Sequence, residues 1–324
     1  MENGTKIIEL LDLTRKFRQL TAVDSISFDV YKGEIFGFLG PNGAGKTTTI
    51  NMLCTLLTPT SGRATVNGYD ILKQRRQVQR VIGLVFQDPT LDDYLSAEQN
   101  LRFHAYAYGV PKSVREERLT QLVELVGLSD RLKGKVSTYS GGMKRRLEIA
   151  RGLLHHPQIL FLDEPTLGLD PQTRYHVWEY IHALRKQEEL TIFMTTHYMD
   201  EAENCDRIAV IDQGKIVALD TPDNLKDSLG GDVVILEAED SQKAMLELEE
   251  KHSLSPQIQD EMITFSVPHG ETFLPEFMRS FQSRLVSISV HRPTLDDVFL
   301  KLTGRAMRDQ EAGAWEQFRR IMPH

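Results

Sequence analysis

The sequence predicts an α/β fold organised around a parallel sheet, and three observations carry that prediction. Gly40-Pro41-Asn42-Gly43-Ala44-Gly45-Lys46-Thr47 fits the pattern G-x-x-x-x-G-K-[ST], directly after an apolar run over residues 34–39 and before a helical pattern over 48–57. Residues 159–162 are a continuous apolar run of the kind a central parallel strand shows, 81–86 reads as a buried-strand run and 191–196 as another strand. Between them the apolar residues fall at helical spacing. In ordinary composition a chance match to the Gly-Lys-Thr pattern in a chain of this length is on the order of one per cent.

That loop is the centre of the reading. Its glycines let backbone N–H groups turn inward around phosphate oxygens, Lys46 supplies a point charge to the β and γ phosphates, and the Thr47 hydroxyl suits Mg²⁺. The helix that follows aims the positive end of its dipole at the same phosphates. Ahead of the loop, residues 7–11 and 23–30 read as half-buried strands, with Val23, Ile26, Phe28 and Val30 on the apolar side. Phe17, between them and flanked by Arg15, Lys16 and Arg18, is either a strand-end ring or one placed to stack on a nucleobase.

Beyond the loop, residues 60–68 read as a turn and short strand, 70–80 as a polar helix, and 81–86 as a buried strand ending at Gln87. Gln87 is either a turn residue beside Asp88-Pro89 or an amide that reaches Mg²⁺ or the attacking water. A helical insertion follows over about 96–132. Then Ser140-Gly141-Gly142 opens a helix whose apolar positions are Met143, Leu147, Ala150 and Leu154; Ser140 is a natural N-cap and the two glycines leave N–H groups open to an anion. The next strand delivers Asp163 and Glu164 to its carboxyl end, where Asp163 suits the Mg²⁺ shell and Glu164 suits orienting and deprotonating water. Leu167-Gly168-Leu169-Asp170-Pro171 turns into a helix expected from Thr173. The strand over 191–196 ends at His197, a position that favours a γ-phosphate contact, and two more strands are expected at 207–212 and 215–219.

Whole-chain properties narrow the class. With 324 residues, 40% hydrophobic and 26% charged, the chain can bury a full core and has room for a large domain plus a small one. A net charge of −8 argues against a nucleic-acid binder, and Lys144-Arg145-Arg146 reads as a solvated helix face. Cys54 and Cys205 lack zinc-site spacing; Cys54, in the apolar helix after the loop, is expected to be a buried, inert thiol. Residues 1–6 lack a signal-peptide pattern and no apolar run approaches about 18 residues, so the chain itself is not expected to cross a membrane.

Taken together, the loop, Gln87, the Ser-Gly-Gly helix, the Asp-Glu strand and His197 resemble, in this order, the ATP-binding subunit of ABC transporters over about residues 7–225. The resemblance implies a P-loop ATPase domain over 1–230, with an antiparallel β subdomain and a helical subdomain. It implies that the loop with Lys46, Thr47 and Thr48 binds the phosphates of ATP and Mg²⁺, that Phe17 stacks on adenine, and that Gln87 links the site to a membrane partner. Glu164 would be the base and His197 would hold the γ-phosphate. Ser140 and Gly142 would cap the ATP of a second copy in a head-to-tail homodimer, with Asp170 at the seam. The chain would sit in the cytoplasm against the inner face of the cell membrane, on a separate integral membrane permease. Its sequence departs from the commonest family pattern at Tyr139, Met143 and Leu167-Gly168.

Residues 231–304 alternate strand and helix again: strands near 233–236, 262–267 and 285–290, helices near 244–250 and 273–281. Their ending, Arg292 to Gly304, resembles the C-terminal extension of daunorubicin-resistance-type ATPases, which serve exporters of drug, lipid or polysaccharide-like cargo. This small α/β domain is expected either to regulate or support dimerisation, or to add stability alone. The tail over 305–324 carries Met307, Trp315, Phe318 and Ile321 among charges and suits either a surface contact or a frayed end. Two rival functions are a soluble ABC-type ATPase acting on nucleic acid or ribosomes, and a nucleotide sensor without turnover.

Overall fold

The computed structural model describes residues 4–259 and 262–304; the expectation for the tail falls outside them. The chain divides into two compact units, Met1–Ile216 and Val217–His324.

The first unit opens with β1 (Lys6–Phe17) and β2 (Leu20–Tyr31), then β3 (Ile35–Leu39) and helix α1 (Lys46–Leu53). Next come β4 (Ser61–Val66), β5 (Tyr69–Asp70), α2 (Arg75–Val81) and β6 (Ile82–Val85). β1, β2, β4 and β5 form an antiparallel sheet in the order β2-β1-β4-β5. β1 and β2 are longer than the sequence pattern indicates because register shifts interrupt their alternation, including around Asp12, whose φ of 50° breaks the period. α1 is shorter than expected: Leu56 and Leu57 N–H both turn back to Asn51 O, and Thr55 takes φ 64°.

The insertion consists of α3 (Ala97–Ala107), opened by a Ser96/Gln99 capping box, and α4 (Lys112–Leu125). It leads into α5 (Gly141–Gly152), then β7 (Ile159–Asp163), α6 (Pro171–Glu188), β8 (Thr191–Thr196), the short α7 (Met199–Ala202), β9 (Arg207–Asp212) and β10 (Lys215–Asp220). Five strands run parallel in the order β9-β3-β8-β7-β6. Every residue of β3, β7 and β8 is buried, the polar Asp163, Thr191, Thr195 and Thr196 included. Phe28 of β2 packs on Phe36, Phe38 and Phe193 with ring centroids 5.3 to 6.3 Å apart, joining the two sheets.

Register aligns the strand ends. Leu39 pairs with Thr196, Asp163 with Thr195, and Val85 with Leu162. The segments after β3, β6, β7 and β8, carrying the Gly-Lys-Thr loop, Gln87, Glu164 and His197, therefore all leave the carboxyl edge of one sheet, where ligands of open α/β sheets bind.

The second unit contains α8 (Pro222–Asp227), β11 (Asp232–Ala238), α9 (Ser241–His252), β12 (Gln257–Gln259), β13 (Met262–Val267), α10 (Gly270–Ser280), β14 (Leu285–His291) and α11 (Leu295–Thr303). Its sheet is antiparallel in the order β12-β13-β11-β14. β13 alternates between buried and half-buried positions, as does β11 from Val234 on, after the adjacent buried Val233. Their buried side chains meet Ala244, Leu248 and Phe277 from the helices in one apolar core. The sequence pattern indicates β11, β13, β14, α9 and α10 but not α8, β12 or α11.

Candidate functional site

Close packing dictates two of the three glycines of the loop, Gly40 and Gly45. A Cβ on Gly40 would stand 2.3 Å from Ile211 O, and one on Gly45, at φ 108°, 2.5 Å from Ala22 O. α1 starts at Lys46, and no side chain caps its first N–H groups. Lys46 is buried, and its ammonium donates to Gly40 O at 2.6 Å and Pro41 O at 3.2 Å while lying 3.1 Å from Glu164 Oε1.

The two acids divide sharply. Asp163 Oδ1 accepts from Thr195 Oγ1 at 2.6 Å and from Thr47 Oγ1 at 3.3 Å. Burial pushes the Asp163 carboxyl up, a shift only partly offset by these two hydroxyls. Glu164 faces the other way: its Oε1 meets Lys46, and its Oε2 lies 3.3 Å from His197 Nδ1. Burial raises this carboxyl too, but the hydrogen bond with His197 and the Lys46 charge outweigh it and hold Glu164 below the usual carboxylate range. Its backbone takes φ 43°, a left-handed conformation costing of order 1–3 kcal/mol in a non-glycine residue.

The structure thus brings together Lys46, Thr47, Asp163, Glu164 and His197. Thr48, half-buried, follows Thr47 in the first turn of α1. The other candidates lie outside that set of contacts. Gln87 is exposed just past β6, and its amide makes no hydrogen bond among the described residues. Phe17 ends β1, 40% exposed, with the Arg15 guanidinium 4.4 Å from its ring centre. Ser140 caps α5, its Oγ accepting from Met143 N at 3.3 Å, and Gly141 is exposed beside it. Gly142 is buried; a Cβ there would lie 2.3 Å from Thr173 Cγ2. A groove of about 320 Å³ between α5 and α6 is lined by Ser140, Gly142, Met143, Arg146, Thr173 and His176 among others. Asp170 caps α6 through Thr173 N at 3.0 Å and Thr173 Oγ1 at 2.6 Å, so the helix starts at Pro171 rather than at Thr173. Tyr139 is a core residue whose hydroxyl donates to Arg131 O at 2.7 Å.

Lys144-Arg145-Arg146 is not a solvated face. Arg146 is half-buried and donates to Val126 O at 3.0 Å, and Lys144 is half-buried against Asp93. Arg145 is buried, and all five of its N–H groups are engaged. Nε donates to Pro165 O, Nη1 to Phe86 O at 2.6 Å and Glu148 Oε2 at 3.2 Å, and Nη2 to Asp163 O at 3.2 Å and Glu164 O at 2.7 Å. The physical reason is that a helix can bury charge on its packed face when loops supply carbonyls there. Three more residues around the acids escape the sequence reading. Thr195 Oγ1, besides donating to Asp163, accepts from Glu164 N at 3.0 Å. Glu201 of α7, 2% exposed and pushed up by burial, accepts from Thr166 Oγ1 and from Thr196 Oγ1 at 2.6 Å. A hydroxyl at the end of an otherwise apolar strand is the one signal that marks Thr195 and Thr196. Both cysteines are buried and free, and burial pushes their thiols well up, as expected of inert ones.

Comparison with known proteins gives two family matches. Residues 23–167 match the model described as "ABC transporter", and residues 221–303 match "ATP-binding protein DrrA1-3-like, C-terminal domain". The linearmycin resistance ATP-binding protein LnrL of Bacillus subtilis (strain 168) is 38% identical over 312 residues, covering 94% of this chain and 100% of that protein. The daunorubicin resistance ATP-binding protein DrrA2 of Streptomyces coeruleorubidus is 38% identical over 309 residues, covering 93% of this chain and 96% of that one. Among solved structures, an ATP-binding subunit of an ABC transporter superposes with a TM-score of 0.62 at 31% identity, over 69% of this chain and 93% of the other.

Proposed function

We propose, from the premise that this chain belongs to the ABC transporter family of ATP-binding subunits, that it hydrolyses ATP to drive export through a separate membrane permease. The observation that carries the site is the convergence of Lys46, Glu164 and His197 beside Thr47 and Asp163 at one sheet edge. The relatives named for resistance to linearmycin and daunorubicin favour a drug-like cargo.

In this reading the segment Gly40 to Thr48, Pro41, Asn42 and Ala44 included, wraps the phosphates of ATP through the N–H groups of its residues other than Pro41, and Phe17 stacks on adenine after Arg15 moves off its ring. The Thr47 hydroxyl and Asp163 carboxylate already face one another, and their oxygens suit Mg²⁺. No cluster of three or more His, Cys, Asp or Glu among the described residues could hold a metal, so the remaining ligands would be phosphate, water and the Gln87 amide. Bound there, Mg²⁺ neutralises phosphate charge.

Lys46 gives the site its order of events. Before nucleotide arrives, its ammonium neutralises Glu164. When phosphate oxygens draw it away, Glu164 loses a charge that holds its pKa down and becomes a better base for the attacking water. His197 keeps the carboxylate aimed and offers its ring to the γ-phosphate. Ser140 and Gly142 of a second copy complete the site in a head-to-tail homodimer, with Asp170 at the seam. No helix among the described residues is long and apolar enough to cross a membrane, and the chain meets the cytoplasmic face of the cell membrane through its permease.

The test pairs Mg²⁺-dependent ATPase activity with sedimentation of Glu164→Gln in ATP. The reading expects lost turnover and a dimer that holds nucleotide; a variant that stays monomeric at all concentrations defeats the head-to-tail arrangement.

A further inference from the structure

We propose that Arg145 is a positioning residue for hydrolysis: its guanidinium fixes the backbone that carries Glu164 and ties it to the segment that carries Gln87. The inference rests on the reading of Glu164 as the base.

The bonds of Arg145 are unusual in their targets. Three go to carbonyls of consecutive residues, Asp163, Glu164 and Pro165, which surround the φ 43° turn at Glu164. A left-handed non-glycine residue persists only where its surroundings over-determine it. Three carbonyls gripped by one planar fork are such a constraint, because the fork's geometry is rigid where an ammonium's is not. The fourth carbonyl belongs to Phe86, the residue before Gln87.

Neighbours on the same helix complete the tie. Glu148, 0% exposed, accepts from Arg145 through Oε2 and from Thr90 N through Oε1 at 2.7 Å. Arg151 donates to Thr90 O at 3.2 Å. Residues 86 and 90 are thus both pinned to α5, with Gln87 between them, and the same helix starts at Ser140. One buried guanidinium joins three segments that the hydrolytic site needs in register: the acidic turn, the Gln87 segment and the Ser140 helix.

The device acts on the rate and not on ATP binding, since none of these bonds involves Gly40 to Thr47. Arg145→Lys keeps the charge but offers three donors without the fork. In single-turnover hydrolysis by the full chain with Mg²⁺-ATP, it is expected to slow the chemical step by roughly 10- to 100-fold, the scale of a misplaced catalytic group. The Kd for ATP is expected to stay at the wild-type value. Because Arg145 works through Glu164, Arg145→Lys combined with Glu164→Gln is expected to be no slower than Glu164→Gln alone.

Wild-type hydrolysis by Arg145→Lys, losses that multiply in the double variant, or ATP affinity that falls in step with the rate would each overturn the proposal. If Arg145→Lys does not fold, Glu148→Gln carries the test, with slower hydrolysis at unchanged Kd expected and an unchanged rate decisive against it. The two readings fail differently. Full activity in Glu164→Gln removes the base and with it the role given to Arg145, whereas an inactive Glu164→Gln beside a normal Arg145→Lys removes Arg145 alone.

Discussion

In the first unit, Lys46, Glu164 and His197 meet across the ends of β3, β7 and β8, each brought there by a different strand. In the second, Glu247 of α9 is equally buried, 7% exposed, but its oxygens are taken up by Gln282 N, Ser283 N and Ser283 Oγ at 2.7 to 2.9 Å. The first arrangement sets side-chain charges against each other, with partners that can leave. The second staples a helix to a turn through two backbone amides and a hydroxyl, with the Lys251 ammonium 3.5 Å from Glu247 Oε1. The two carboxylates differ in kind: Glu164 lies between two ionisable side chains, whereas Glu247 is held mainly by main chain and a hydroxyl.

Four experiments break or sharpen that contrast. The largest effect is expected of Glu164→Gln, which should lose about 10²–10⁴ in hydrolysis rate while still binding ATP, the usual contribution of a general base. Undiminished turnover in a phosphate-release assay would erase the chemical side of the comparison. Lys46→Ala should weaken ATP by roughly 10- to 100-fold, from the loss of charge-assisted bonds worth about 1.5–3 kcal/mol. A fluorescent nucleotide titration measures it, and an unchanged Kd would mean that the lysine serves Glu164 alone.

On the architectural side, Glu247→Ala should cost about 1–3 kcal/mol of stability, since it leaves two buried donors of Ser283 and the part-buried N–H of Gln282 without an acceptor. Denaturant unfolding should show the loss while ATP affinity stays at the wild-type value; a fall in affinity would end the separation between staple and site. The smallest effect lies in pH. Burial pushes Glu247 up, but the Ser283 hydroxyl and the two amides outweigh it and hold the carboxyl below its ordinary 4.5. Its stabilisation is therefore complete above pH 4.5 and lost as pH falls through the lower folded value. Glu201, raised above 4.5 by burial, has the opposite sign: its contribution is complete below 4.5 and lost as pH rises through the folded value. Relative to wild type, Glu247→Gln should thus fare worst near neutrality, and Glu201→Gln should gain as pH rises. Parallel pH profiles of the two variants would contradict the assignment.

What could be read from the sequence followed from locality. The Gly-Lys-Thr loop, the apolar strands and the acids at a strand end are patterns within one stretch of chain, and the sheet places Lys46, Thr47, Asp163, Glu164 and His197 together as those patterns imply. Arg145 could not be read that way. Its partners Phe86 and Pro165 lie far along the chain on either side, and a basic residue between two others looks solvated until those carbonyls are known. Thr195 and Glu201 share the difficulty. α11 is a different case: Thr294 and Asp297 form a capping box, a local signal overshadowed by the resemblance of that ending to a known extension.

The contact between Gly142 and Thr173 has a mechanical consequence. No carbon fits between the start of α5 and the first turn of α6, and Thr173 is itself held by Asp170. Under the proposed head-to-tail pairing the two helix starts would therefore act together, and a second copy docking on Ser140 would meet Asp170 in the same step.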